Sequence, residues 1–130
     1  MTADDIPELI KSFIATHIQS VEQLEILLLL TENAERDWSA AEVSNSLVIH
    51  LESAFVRLKE LSGKGLLVST PEPDPRYRFQ PSTPEVAKLL HDLADVYKRR
   101  RVSVITLIFS KPLDNIRSFA DAFKLRKDEE

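Results

Sequence analysis

Residues 39–67 read SAAEVSNSLVIHLESAFVRLKELSGKGLL and carry the most informative local signals in the chain. Ser39 followed three residues later by Glu42 forms a capping box, which predicts the start of a short helix. After a turn near Val48, apolar residues return at helical spacing and predict a second helix. Gly65 suits the left-handed conformation that ends such a helix. The stretch therefore predicts two short helices joined by a tight turn.

Two more helices are predicted before this stretch. Apolar residues recur at helical spacing from Ile6 to Ile18, with Asp5 as the N-cap and Pro7 in the first turn. A second capping box, Ser20–Gln23, opens a leucine-rich helix that is apolar nearly all round. We therefore expect this second helix to be the buried central helix of the fold.

A short hairpin is predicted after the stretch. Residues 66–69 and 76–79 have the character of two short strands, and the proline-stiffened loop PEPDP at residues 71–75 connects them. This hairpin completes a core built from amphipathic helices.

The C-terminal part of the chain predicts one long helix and a shorter amphipathic stretch. Thr83 and Pro84 are start signals for a helix that runs to residue 109. Residues 102–109 are rich in β-branched side chains, which leaves a strand as the alternative. Because no turn signal interrupts the pattern, we favour one continuous helix. Residues 113–124 form the last amphipathic stretch.

Composition excludes several classes of protein. The 130 residues include no cysteine and only two glycines, so disulfide scaffolds, thiolate metal sites and glycine-rich phosphate loops are excluded. The longest apolar run, Ile26–Leu30, is far shorter than the roughly 18 residues of a membrane span. The acidic N-terminus lacks the order of a signal peptide. We therefore expect a cytoplasmic protein without a membrane segment, built as one compact domain or as one small domain with an appendage.

No arrangement of residues indicates catalysis or a metal site. Serine, histidine and aspartate are present, but not with the spacing of a nucleophile elbow. His91 and Asp95 stand one helical turn apart, and two ligands without a third are usually a surface pair. We predict that the chain is not an enzyme and binds neither a metal nor a cofactor.

Charge is distributed unevenly along the chain. The formal net charge is −4, which argues against a nucleic-acid ligand. However, residues 1–55 carry ten acidic and two basic residues, whereas residues 56–130 carry fifteen basic and eleven acidic residues. The basic second half of the chain weakens this argument against a nucleic-acid ligand but does not remove it.

The densest charge is the run Lys98–Arg101. Successive helical positions point about 100° apart, so these four side chains cannot all contact one ligand. We interpret the run as a polar collar that pairs with Asp92, Asp95 or the acidic half, within one chain or across the two-fold axis of a dimer. Contact with phosphate is the alternative.

The order of elements resembles that of a known family. Residues 39–67, followed by PEPDPRYRF at residues 71–79, are similar to the helix-turn-helix and wing of bacterial MarR-type regulators. The family usually has glycine in the turn, where this chain has Val48. The resemblance implies a mainly α fold with a small β-hairpin wing, that is, a winged helix-turn-helix with long flanking N- and C-terminal helices. The implied organisation is a dimerisation helix at residues 1–19, the winged domain at 20–82, a long dimerisation helix at 83–111, and a short amphipathic helix with a charged tail at 112–130.

The resemblance also implies a function, namely a transcriptional regulator that binds double-stranded DNA as a homodimer. In this fold the second helix of the helix-turn-helix enters the major groove. Its inward stripe would be Leu51, Ala54, Phe55, Leu58 and Leu61. The implied DNA contacts are Glu52 and Ser53 to bases, Arg57, Lys59 and Lys64 to the backbone and groove edge, and Arg76 and Arg78 on the wing.

A winged helix that binds a protein partner and no DNA is the alternative. The outward face of the second helix carries Glu52, Val56 and Glu60, which is acidic and partly apolar. DNA-reading helices typically present Arg, Lys, Asn or Gln there. The C-terminal amphipathic stretch is a second candidate surface for such a partner.

Overall fold

The computed structural model describes residues 6–71 and 73–110. The predicted cap Asp5 and the amphipathic stretch after residue 111 lie outside the described residues. The elements in chain order are α1 (Glu8–His17), α2 (Val21–Glu32), α3 (Ala40–Leu47), α4 (Leu51–Gly63), β1 (Leu67–Ser69), β2 (Tyr77–Phe79), α5 (Pro84–Arg99) and α6 (Arg101–Ser110).

Helix α2 lies at the centre of the core, as its apolar sequence predicts. Leu24, Leu27 and Leu30 are fully buried, and the helix contacts α3, α4, α5 and the wing strand β2. The Ser20 side chain accepts a hydrogen bond from the Gln23 backbone N–H at 3.1 Å and so caps the helix. Among the described residues no single helix has the length and apolar character of a membrane span, although α1 and α2, bent by 117°, pass that test as a pair.

Helices α3 and α4 form the predicted helix-turn-helix. Both hydrogen bonds of the capping box between Ser39 and Glu42 are present, at 3.0 and 3.1 Å. The turn is made by Val48, whose backbone is left-handed at φ 55° and ψ 56°. At the end of α4, Gly65 has φ 80°, and the backbone N–H of Leu66 bonds to the carbonyl of Leu61 at 3.2 Å, the Schellman pattern.

The wing is a two-stranded antiparallel hairpin with a third backbone segment beside it. Leu67 pairs with Phe79, and Ser69 pairs with Tyr77. Trp38 extends the sheet, because its backbone N–H and carbonyl each bond to Tyr77 at 2.7 Å. The loop before α3 is therefore held against the wing.

The C-terminal helical region is broken at one residue. Residues 102–109 are helical, as favoured, but the prediction of one continuous helix over 83–111 is wrong. Arg100 leaves helical geometry at φ −132° and ψ 49°, and α6 begins after it. In a straight helix Lys98 and Arg101 would lie about 60° apart on one face, as residues i and i+3 do. Across the break both still contact acidic residues of α2, while Val104 and Ile108 of α6 remain buried.

Candidate nucleic-acid interface

Helix α4 has one face in the core and the opposite face in solvent. Ala54, Leu58 and Leu61 are fully buried. At 3.6 residues per turn, the stripe on the far side begins at Glu52 and continues through Val56 and Lys59, all of them exposed. The candidate interface of the fold is this stripe and the neighbouring wing.

The predicted inward position of Leu51 is wrong. Its side chain is 56% exposed, and Phe55, one turn later, is only partly buried. The left-handed turn at Val48 carries the first turn of α4 beyond the core, and fully buried packing begins at Ala54. Leu51 therefore points in the same direction as buried Leu58 but is exposed at the start of α4.

A groove separates the wing loop from the start of α4. Its volume is about 720 Å³, and Glu52, Asp74 and Arg76 supply its charged groups. The remaining lining is mostly small or apolar: Ser39, Ala40, Ala41, Leu51, Phe55, Pro73 and Pro75. Across residues 39–83 the charges balance, with five basic and five acidic side chains.

Arg57 lies on the flank of α4 and is bound to two carboxylates. Its guanidinium contacts Glu22 and Glu60, each at 3.1 Å. Partial burial alone lowers the pKa of Arg57, but the hydrogen bonds to Glu60 and Glu22 outweigh it and raise the pKa above the ordinary arginine value. This predicted DNA contact is therefore directed toward the start of α2.

Arg76 of the wing is held by Glu42, the capping residue of α3. Its Nη2 atom lies 3.0 Å from Oε1 of Glu42, and Arg36 contacts the same oxygen at 3.1 Å. The backbone N–H of Ser39 and the guanidinium groups of Arg76 and Arg36 lower the pKa of Glu42 below 4.5. The carboxylate thus caps α3 and binds the wing at once.

Arg78 of the wing is paired in the same manner. Its Nε atom lies 2.8 Å from Oδ1 of Asp37. Tyr77 and Phe79 on either side of it are buried, so Arg78 lies on the outer face of β2. Both wing arginines are therefore partly exposed and already joined to the loop and helix before them.

The remaining predicted contacts have no ionic partner among residues 6–71 and 73–110. Lys59 is exposed and lies 5.3 Å from the centre of the Phe55 ring. Lys64 is partly exposed at the end of α4. Glu52 is exposed and Ser53 is partly exposed, both in the first turns of α4.

Ion pairs within the chain neutralise much of its uneven charge. Lys98 and Arg101 contact α2, and Arg99 contacts Asp95 at 3.0 Å, which confirms pairing with Asp95 and with the acidic half. The pairing lies within one chain, so it needs no dimer axis. Counted over the described residues alone, five such pairs join residues 6–55 to residues 56–110: Glu22–Arg57, Asp37–Arg78, Glu42–Arg76, Glu32–Lys98 and Glu25–Arg101.

Sequence reasoning missed the acidic partners of these arginines. The sequence identifies Glu42 only as a helix cap and indicates no role for Asp37. Their pairing with the wing depends on the Trp38–Tyr77 backbone bridge, which no local pattern indicates. Within the described part of the chain, no three His, Asp or Glu side chains are grouped so that they could hold a metal ion.

Comparisons with known proteins identify the fold. The sequence matches no protein-family model and no curated protein. Among solved structures, one similar domain is the homodimeric winged helix-turn-helix DNA-binding domain of Mb0332 from Mycobacterium bovis, a possible ArsR-family transcriptional regulator. It is 20% identical with a TM-score of 0.51, and the match covers 77% of this chain and 91% of that one.

Two MarR-type structures have the same arrangement. A mutant of MarR from E. coli is 13% identical with a TM-score of 0.52, and the match covers 88% of this chain and 85% of that one. A mutant of MepR from S. aureus is 12% identical with a TM-score of 0.52, covering 95% and 88% of the two chains. The prediction of a mainly helical winged fold is confirmed: the chain has the winged helix-turn-helix fold seen in MarR-like and ArsR-like transcriptional regulators.

Proposed function

We propose that this protein is a DNA-binding transcriptional regulator that binds duplex DNA as a homodimer. The observation that carries the proposal is the winged fold itself. Helix α4 has its outward stripe on the side away from the core, beside a hairpin whose Arg76 and Arg78 are partly exposed. In this fold the second helix enters the major groove while the wing reaches phosphates or the minor groove. The Mb0332 domain, which shares the fold, is a homodimeric DNA-binding domain.

The proposed contacts divide between bases and phosphates. Glu52 and Ser53 face base edges, Lys59 and Lys64 contact the backbone, and Arg76 and Arg78 act from the wing. Arg57 contributes at the groove edge when it exchanges Glu22 or Glu60 for phosphate. Partly exposed ion pairs are typically worth only about 0–1 kcal/mol, so phosphates can compete with these carboxylates. A bacterial regulator of this kind acts in the cytoplasm, where the chromosome lies, and its function needs no catalysis.

The proposed dimer interface lies on α1 and α6. Val102 and Phe109 of α6 are 76% and 69% exposed, and Leu9 of α1 is exposed as well. Ile6 and Val102 line one shallow cavity, which places the start of α1 beside α6. A second copy would remove these apolar side chains from water and space two α4 helices for successive major grooves.

The test is the salt dependence of DNA binding by the full chain. Anisotropy of labelled duplexes from the region upstream of its gene is measured between about 50 and 200 mM salt. Each phosphate neutralised contributes about −0.9 to the slope of log K against log salt, so the five cations proposed per protomer predict a slope of about −9 for the dimer. Absence of salt-sensitive binding at low ionic strength would overturn the proposal.

A protein partner is the second candidate, because one observation favours it. Leu51 is largely exposed beside the groove, and the helix-turn-helix and wing carry no net charge. Glu52→Lys separates the candidates. A DNA-binding protein should bind random duplexes more tightly after this change, because a repulsive charge becomes attractive. A protein-binding module should give no salt-sensitive DNA binding in either form.

A further inference from the structure

We propose that Glu52 is a specificity-determining residue that selects a C·G base pair at its position in the DNA site. The inference rests on the proposed function, because it concerns how α4 reads DNA. Glu52 lies in the first turn of α4. Residues near the start of a recognition helix are those that reach base edges.

The position of Glu52 on α4 directs it outward. Glu52, Val56 and Lys59 are exposed, and at 100° per residue they fall within about 60° of one another. Their side is opposite to buried Ala54 and Leu58. A major groove that receives α4 therefore meets these three side chains together.

The surrounding acids are neutralised, whereas Glu52 is not. Glu42 contacts two guanidinium groups, Asp37 contacts Arg78, and Glu60 contacts Arg57. Within the described part of the chain, no basic group lies within 4.0 Å of Glu52. Among the described acids of residues 39–83, Asp74 at the wing loop is the other one without a basic group within 4.0 Å.

An unpaired carboxylate in the major groove discriminates strongly between bases. The neighbouring phosphates repel it, so it is favourable only where a base donates a hydrogen bond. Two base groups donate in this groove, the N4 amino group of cytosine and the N6 amino group of adenine. The adenine amino group lies between two acceptors, N7 of its own ring and O4 of thymine. The cytosine amino group has an acceptor on one side only, so the carboxylate prefers cytosine.

Val56, one helical turn after Glu52, is placed to contact a further base. Its exposed side chain matches the thymine methyl group, which is an apolar feature of the major groove. Four residues of helix span about 6 Å, which is close to two base steps of about 3.4 Å. The geometry thus points to half-sites in which a cytosine and a thymine are about two base pairs apart.

The experiment selects binding sites from a random duplex library with the full chain and then varies the base opposite Glu52. We expect at least about tenfold preference for C·G in the wild type. Glu52→Gln should shift the preference toward A·T, because a glutamine amide pairs with N6 and N7 of adenine. Glu52→Ala should lose the preference and bind random DNA about threefold more tightly at low salt, since a repulsive charge is removed.

Glu85→Gln is the matched control. Glu85 is also an exposed glutamate in the first turn of a helix, α5, which is outside the candidate interface. This variant should keep the wild-type preference. Salt-sensitive binding with unchanged base preference in both Glu52 variants would overturn the inference and leave the proposed function standing. If neither the wild type nor any of these variants binds DNA, both the inference about Glu52 and the proposed function are overturned.

Discussion

Oδ1 of Asp37 lies 2.8 Å from Nε of Arg78, and this contact joins the loop before α3 to the return strand of the wing. Glu42 of α3 and Arg76 of the wing make a second ion pair of this kind, at 3.0 Å. The two wing arginines that we propose as DNA contacts are therefore bound to carboxylates of their own chain. DNA binding by this wing requires an exchange of partners, in which phosphates replace Asp37 and Glu42.

Removal of the competing carboxylate should strengthen DNA binding. In Asp37→Asn, Arg78 no longer has an ionic partner, and a partly exposed ion pair of up to about 1 kcal/mol corresponds to a gain of up to about fivefold in affinity. Anisotropy titration at low salt measures it. Asp95→Asn is the control, because it releases Arg99 on α5, away from the interface, and should change nothing. Weaker DNA binding by the Asp37→Asn variant would contradict the proposal that phosphate replaces Asp37 as the partner of Arg78.

Val48 stores strain in the turn between α3 and α4. It is a β-branched residue in left-handed geometry, and its side chain is 88% exposed, so it gains little from packing. The left-handed conformation costs an ordinary residue about 1–2 kcal/mol, and asparagine tolerates it better. We expect Val48→Asn to raise the free energy of unfolding by about 1 kcal/mol, measured by urea denaturation. Val48→Ala keeps a Cβ atom, so its free energy of unfolding should rise by less. If the free energy of unfolding rises in neither variant, Val48 is not strained.

Tyr97 makes stability depend on alkaline pH. Burial, followed by the hydrogen bond that its hydroxyl donates to Glu25 at 2.8 Å, raises the pKa of Tyr97 from 10.0 to about 12. Because the folded pKa is the higher one, the stabilisation is fully present below pH 10 and is lost as pH rises toward 12. Denaturation midpoints across this window should fall more steeply in the wild type than in Tyr97→Phe. Equal slopes would show that Tyr97 titrates normally.

The proposed dimer depends on exposed apolar side chains of α6. Phe109→Lys places a charge in the proposed interface, where burial without a partner is unfavourable. We expect the variant to sediment as a monomer and to lose DNA affinity by tenfold or more, because two linked half-sites become one. Val68→Lys is the matched control, since Val68 is an exposed valine on the wing and should leave the dimer intact. If the Phe109→Lys variant is still a dimer, the dimer interface does not include Phe109.

Local signals in the sequence predict much of this fold. The capping box at Ser39 and the glycine at Gly65 depend on side chains within a few residues, and both have the expected geometry. The winged arrangement followed from the order of such elements. The break at Arg100 was missed because no glycine or proline marks it, and contacts with α2 accompany it.

The candidate site was less predictable than the fold. Residue type and helical spacing put Glu52 and Val56 on the outward face of α4, and both are exposed. Spacing could not show the pairing of Arg57 with Glu22, of Arg76 with Glu42 or of Arg78 with Asp37, because these partners lie at least 34 residues apart in the chain. Only Glu60, three residues after Arg57 on α4, lies within the reach of local spacing. Leu51 was misplaced because periodicity gives the direction of a side chain but not where the core ends.

DNA recognition by the wing is best tested by the salt dependence of binding in a wing variant. Arg76 and Arg78 in both protomers account for four proposed phosphate contacts, so the double variant Arg76→Ala with Arg78→Ala should lose about 3.6 from the slope of log K against log salt. We expect steep salt dependence in the wild type and this loss of slope in the variant. Duplex binding that is absent, or a slope that is unchanged in the variant, would contradict DNA recognition by the wing.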